Sequence, residues 1–318
     1  MNRPKERRHL VTHCDYNYLP RAIVLIESIA KKSENYLVIL VCHDDLSYSK
    51  MIERSMKNVE LVKLSEIEVY FDELNEKKLL ISPIEYIFLL TPFIIKFCLE
   101  VFKLENVVYV DSDMYFFSSI DPIFDEIRNS DVGITSHNFP TKMRHLEVNG
   151  KFNVGILFFR NTKDGNQILD WWAKSCLEST SIESSSPDVF GDQKYLDSFS
   201  TIYPGTYVFK NLGINAAPWN CHEVTRDNNG GLTINGSNLV CFHFSGVKAS
   251  KNKFIAGYHR YGIRPMLVIK QYVYQPYVWK LYEMNKSFNI SGDHLKPWIK
   301  VRSWIRALVF GDFIILSK

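Results

Sequence analysis

The chain has 318 residues, room for one large domain or two. Apolar residues make up 46% and charged residues 23%, which excludes wholesale disorder. With 38 Lys and Arg against 35 Asp and Glu, the net charge of +3 is too mild for a nucleic-acid-binding protein.

His9 to Thr12 reads as a short first strand, followed by a polar loop from Cys14 to Pro20 and a helix over Arg21 to Lys31. Tyr36 to Cys42 is a continuous apolar run, as in a strand buried on both faces of a parallel sheet. Residues 49 to 57 predict a helix and Val59 to Leu64 a strand. A helix follows over Thr91 to Phe102, with Pro92 suited to its first turn. Strands are expected at Asn106 to Val110, Asp131 to Thr135, Val154 to Phe159 and Val240 to Phe244. Gly165 to Thr180 is an amphipathic helix, and Trp171-Trp172 within it reads as core. Ser184-Ser185-Ser186-Pro187 reads as a loop. Beyond about residue 260 the pattern is helical to the end, with breaks at Pro265, Pro276 and Pro297. This alternation predicts an α/β sheet with right-handed crossovers and a helical C-terminal extension. The division expected is a catalytic domain over 1–260 and an extension over 261–318.

Six cysteines stand singly and no CxxC occurs, which fits a reducing compartment. The basic N-terminus is not followed by a long apolar run, and no stretch of about 18 apolar residues exists. Neither a secretory signal nor a membrane-spanning helix is expected, so the expected location is cytoplasmic.

Ligands of open α/β sheets gather beyond the carboxyl ends of strands. Four polar clusters stand at such predicted ends: Asp15 to Tyr18, Asp111 to Asp113, Gly191-Asp192-Gln193 and His243 to Lys248. Asp111 and Asp113 flank one serine, so both carboxylates can face one divalent cation, whose remaining positions suit phosphate oxygens. His243 could be a third ligand, Gly246 permits close approach of a phosphate, and Lys248 can meet its charge. Asp192 and Gln193 could orient an acceptor hydroxyl or cap a helix. Asn153 could bind sugar hydroxyls or serve a turn.

These motifs together resemble the bacterial GT-A-fold glycosyltransferases similar to glycosyltransferase family 8. They read, in order, Asp15-Tyr16-Asn17-Tyr18, Asp111-Ser112-Asp113, Asn153-Val154-Gly155, Asp192-Gln193 and His243-Phe244-Ser245-Gly246-Val247-Lys248. Phe190 to Asp197 and Asn215-Ala216-Ala217-Pro218-Trp219-Asn220 resemble a narrower group encoded with polysaccharide genes. The resemblance covers about residues 9 to 285.

It implies a mixed, Rossmann-like sheet flanked by helices. It also implies that Asp15, Asn17 and Tyr18 hold the nucleotide base, with Tyr18 stacking on it. Asp111, Asp113 and His243 would bind Mn²⁺ or Mg²⁺. Asn153, Asp192 and Gln193 would face sugar and acceptor, and Gly246 and Lys248 the diphosphate. The implied donor is a nucleoside-diphosphate sugar, a UDP-sugar first among them. The implied acceptor is a lipid-linked or other glycan of the bacterial surface, with retention of configuration. Two departures stand out. Leu79 to Ile95 has no Arg or Lys, where many relatives place an Arg, and Lys248 comes one residue early. The rival readings are a non-catalytic scaffold of a glycan-assembly complex and a sugar-nucleotide nucleotidyltransferase. The second lacks support, since residues 9 to 22 contain no glycine.

In the tail, Trp298, Val301, Trp304, Ile305, Leu308 and Val309 recur at helical spacing, while Lys296, Lys300, Arg302 and Arg306 lie largely outside that stripe. Such a helix either packs on its own domain or lies on an anionic membrane surface. The expectation adopted is peripheral attachment at the inner membrane face.

Overall fold

The computed structural model describes residues 7–182, 188–221, 223–250, 253–290 and 297–316, so the serine loop at 184–187 lies outside the described residues. The chain runs β1 (Arg8–Cys14), α1 (Leu19–Lys32), β2 (Tyr36–Cys42), α2 (Asp45–Arg54), β3 (Val59–Lys63), α3 (Leu64–Tyr70), α4 (Glu73–Lys78) and α5 (Pro83–Val101). It continues through β4 (Asn106–Val110), β5 (Met114–Phe116), α6 (Asp121–Ile127), β6 (Val132–Ser136), β7 (Phe152–Arg160) and α7 (Lys163–Glu178). Next come α8 (Phe199–Ile202), β8 (Tyr207–Val208), β9 (Val224–Arg226), β10 (Leu232–Ile234), β11 (Ser237–Asn238), β12 (Cys241–His243), β13 (Lys248–Ser250) and β14 (Lys253–Ile255). The C-terminal region holds α9 (Leu267–Ile269), α10 (Gln275–Ser287), α11 (Pro297–Phe310) and β15 (Phe313–Ile315).

Seven strands form the central sheet in the order β3-β2-β1-β4-β7-β6-β8. β1 to β4 are parallel, and β7 enters antiparallel beside β4. The sheet is thus mixed, as expected. Apolar side chains of alternate parity along β1, β2 and β4 feed two cores, one on each face. That is why these strands read as unbroken apolar runs.

Four expectations need correction. The helix placed at 91–102 begins at Pro83. Ser82 and Glu85 form a reciprocal capping box, and Pro83 occupies the first turn, leaving Pro92 inside the helix. Lacking an N–H, Pro92 leaves the Phe88 carbonyl without its helical partner. Phe88 lies on the cleft wall described below. The helix placed at 49–57 starts instead at Asp45, where the Asp44 side chain accepts from Ser47 N, and ends at Ser55 with φ 49°. The tail is not helical to its end, because β15 pairs with β14 in a three-stranded sheet. Pro276 also breaks no helix, sitting in the first turn of α10.

The tail is fastened to the body. α10 packs on α1, and Ile314 shares a buried cluster with Phe254, Tyr258 and Tyr274. Asp312 is fully buried and accepts from Gly257 N and His259 N at 3.0 Å each and from His259 Nδ1 at 2.5 Å. Arg306 of α11 donates to the His259 carbonyl at 3.3 Å. α11 buries Ala307, while Val301, Ile305, Leu308 and Val309 are 56–68% exposed. Trp304 leans on Phe313, and the side chains of Trp298, Lys300 and Lys296 lie outside the described residues. No described helix is long and apolar enough to cross a membrane. All six cysteines are free and buried.

Candidate active site

A cleft of about 530 Å³ opens at the carboxyl ends of β1 and β4. β4 is all buried, and the chain leaves it at Asp111, whose N–H donates to the Gly155 carbonyl of β7 at 3.0 Å. Tyr115 and its neighbours in β5 then pair antiparallel with β12, and the register sets His243 opposite Met114. The Phe244 N–H donates to the Asp113 carbonyl at 3.0 Å. This pairing brings residues 130 apart in sequence to one point. His243 Nε2 lies 3.1 Å from Asp113 Oδ1 and 3.6 Å from Asp111 Oδ2.

The three candidate ligand atoms lie within 4.8 Å of one another. Two carboxylates and an imidazole suit a divalent cation with oxygen-loving chemistry, so the residues fit Mn²⁺ or Mg²⁺. Without a cation the three groups shift one another's titration. Burial raises the Asp111 pKa against the pull of His243. For Asp113 burial is outweighed by His243, and its pKa is lowered. Burial opposes charging His243, yet the two aspartates outweigh it and raise its pKa. A cation and a proton therefore compete for His243 Nε2.

The supporting residues set the ring's orientation. His243 Nδ1 donates to Asn153 Oδ1 at 3.3 Å, which leaves Nε2 facing the carboxylates. Asn153 was expected before a strand but lies inside β7, at a bulge where the β6 register slips between Ile134 and Thr135. Its Oδ1 also accepts from Gly155 N and from Asn215 Nδ2, at 3.0 and 2.9 Å. Gln193 Oε1 accepts from Asn153 Nδ2 at 3.1 Å, and Gln193 Nε2 donates to the Asn149 carbonyl. On the other side Tyr109 OH donates to Asp111 Oδ1 at 2.9 Å. His13 Nε2 then donates to the Tyr109 oxygen, and His43 Nε2 to His13 Nδ1. Burial, with His43 beside it, lowers the His13 pKa, so this chain is neutral.

Asp192 follows no strand of the central sheet. It sits in the loop before a short helix at Lys194–Ser198, anchored where Trp172 Nε1 donates to its carbonyl at 2.9 Å. The Gln193 side chain does not cap that helix. Burial pushes the Asp192 carboxyl up to about 7, against a hydrogen bond from Thr91. Trp172 is core, as expected. Asp15 accepts from Tyr18 N and Asn17 Nδ2 and so shapes the turn into α1. Tyr18 is 46% exposed, with the Arg21 guanidinium 4.5 Å from its ring centroid. Eight of the eleven expected residues line the cleft; Asn17, Gly246 and Lys248 do not.

Residues 94–214 match the family model described as nucleotide-diphospho-sugar transferase. That match and the sheet order support a glycosyltransferase of GT-A fold. The chain is similar to the uncharacterized protein YfnD of Bacillus subtilis, 26% identical over 277 residues, covering 86% of this chain and 88% of that one. It is also 27% identical over 244 residues to YfnF of the same organism, covering 72% and 78%. Its fold is like that of an active-site mutant of LgtC, with TM-score 0.54, 13% identity and 92% and 99% coverage. Mouse xyloside xylosyltransferase 1 gives TM-score 0.51, 13% identity and 76% and 98% coverage.

The sequence alone gives no role to several residues of this cleft. Thr91 and Tyr109 were read only as helix and strand. Asn215 and Thr135, whose hydroxyl accepts from Asn215 Nδ2 at 2.8 Å, form the buried network behind Asn153. Arg21 and Arg260 also escaped notice. Only Asn215 carried a signal, its place in the Asn-Ala-Ala-Pro-Trp-Asn segment.

Proposed function

We propose that the protein transfers a hexose or similar sugar from a nucleoside-diphosphate donor, UDP-linked, to a bacterial surface glycan, with divalent metal dependence and retention of configuration. The observation that carries this reading is the trio Asp111, Asp113 and His243, converging at the end of β4 in the cleft of a glycosyltransferase fold. A bound Mn²⁺ or Mg²⁺ would offset the charge that builds on the departing nucleoside diphosphate. Asp111, Asp113 and His243 Nε2 hold the cation, and Asn153 and Tyr109 aim two of those ligands.

The exposed face of Tyr18 offers a stacking surface for the base, with its other side braced by Arg21. Asp192 is buried next to the acidic pair and can orient an acceptor hydroxyl or the anomeric carbon. Gln193 is spent on Asn153 and the Asn149 carbonyl, so it acts by fixing Asn153. The outward apolar face of α11, with Arg302 and Arg306 on the helix, supports peripheral attachment to an anionic membrane that presents a lipid-linked acceptor. The catalytic unit proposed is 1–260, with 261–318 as the attaching extension.

A thermal-shift panel of nucleotide sugars with Mn²⁺ tests the reading. A bound donor at 100 times its Kd should add roughly 2.7 kcal/mol of stability. No response to any nucleotide sugar would leave the scaffold reading in its place.

A further inference from the structure

We infer that Arg260, rather than Lys248, is the side chain that meets the donor's diphosphate; this rests on the glycosyltransferase reading above. The sequence pattern points to Lys248, but that residue opens β13, paired opposite Ile255, and does not line the cleft. Arg260 does, beside His243 and Ser245. Among the described residues that line the cleft it is the only lysine or arginine.

Charge makes this matter. The cleft presents Asp111, Asp113 and Asp192, and a diphosphate brings further negative charge. A single divalent cation does not neutralise that sum. A guanidinium is always charged and presents paired N–H groups that match two phosphate oxygens.

The backbone is shaped for this side chain. Gly246 has φ +78°, and a Cβ there would lie 2.4 Å from Arg260 Nη1 and 3.1 Å from its Cδ. The arginine thus runs across the bare face of Gly246 into the cleft. Only glycine permits both the conformation and the passage. Gly257, with φ +100°, also lies close to the Ser245 carbonyl, 2.9 Å from where its Cβ would stand. Asp312 holds the N–H groups of Gly257 and His259, so the turn at Tyr258–Tyr261 that carries Arg260 is fixed from behind. With its base fixed and its stem laid across Gly246, the arginine has less freedom left to lose when it binds.

The test is calorimetric titration of the full chain with UDP and, separately, with inorganic pyrophosphate, each with Mn²⁺. Arg260→Ala should weaken both by about 10- to 100-fold, the range expected for lost hydrogen bonds to a charged group. Arg260→Lys should recover part of the loss, and Lys248→Ala should stay within about twofold of the parent. Arg260 is exposed, so unfolding midpoints should be unchanged and the comparison clean. Near-parental binding by Arg260→Ala overturns the inference, most directly if Lys248→Ala loses affinity instead. Binding of pyrophosphate but not of any nucleoside diphosphate, lost in Arg260→Ala, would keep the phosphate role and sink the donor reading. Absence of both kinds of binding in the parent protein would sink both.

Discussion

Gly155→Ala should damage the metal site without touching a ligand. The glycine lies in β7, directly behind the trio. A Cβ there would stand 2.6 Å from Asn153 Oδ1 and 2.8 Å from His243 Nδ1, where ordinary contact begins at 3.4 Å. Those atoms must retreat by about 0.8 and 0.6 Å. Neither is a free tip. Asn153 Oδ1 also holds Asn215 and the Gly155 N–H, and the His243 ring is wedged edge-on against Trp219. Overpacking of this kind costs about 1–3 kcal/mol of stability. Displacing the group that orients a metal ligand typically costs about 10- to 100-fold in affinity. The assay is a Mn²⁺ titration followed by electron paramagnetic resonance, with thermal unfolding alongside. Folded Gly155→Ala protein that binds Mn²⁺ within twofold of the parent would refute the placement of Asn153 behind His243.

Further outcomes follow from the same geometry. Asp113→Ala and Asp111→Ala should each abolish transfer while the fold survives, which turnover and circular dichroism would check. Tyr109→Phe removes the bond to Asp111 and should weaken Mn²⁺ binding several-fold in the same titration. Asp192, its pKa pushed up to about 7 by burial, carries its charge only above that pH. Turnover should therefore climb as pH rises through about 7, and at a lower pH once the cation is bound. Asp192→Asn should flatten the climb, and a profile identical to the parent's would leave Asp192 without a charged role. The folded chain keeps this proton between about 4 and 7, where the unfolded chain has lost it, so the parent's stability relative to Asp192→Asn should fall with rising pH across that window. Leu308→Ser with Val309→Ser should release the protein from anionic liposomes in flotation without changing its unfolding midpoint, since both side chains are exposed.

The parts of this molecule legible in the sequence are those written in consecutive residues. Val107 to Val110 followed by Asp111 and Asp113 announces a buried strand that ends in acid, and the structure has that strand. His243 could be offered as a third ligand from its place at a strand end, but its nearness to the pair could not be read, because the β5–β12 register that joins them is a long-range contact. Arg260 was invisible for the same reason: its approach to the cleft depends on the left-handed turn at Gly246 and the turn at Tyr258–Tyr261. Pro92 misled because a proline inside a helix and one at its start look alike until the Ser82 cap is considered. Phe313–Ile315 misled because three apolar residues after a helix carry no period, and only the β14 edge makes them a strand.

Asp312 joins two ends of this molecule that would otherwise be independent. One carboxylate, set between α11 and β15, holds the turn that carries Arg260. Cutting the chain near residue 294 to remove a membrane anchor would also remove that carboxylate, so lost flotation and lost donor binding would arrive together and mean different things. The link also runs in reverse. If α11 grips the turn more firmly when its outer face is seated on a bilayer, the diphosphate binds more tightly there, and by thermodynamic reciprocity the donor-loaded enzyme holds the bilayer more tightly by the same factor. The enzyme would then be fullest where its acceptor waits, and product departure would loosen its foothold.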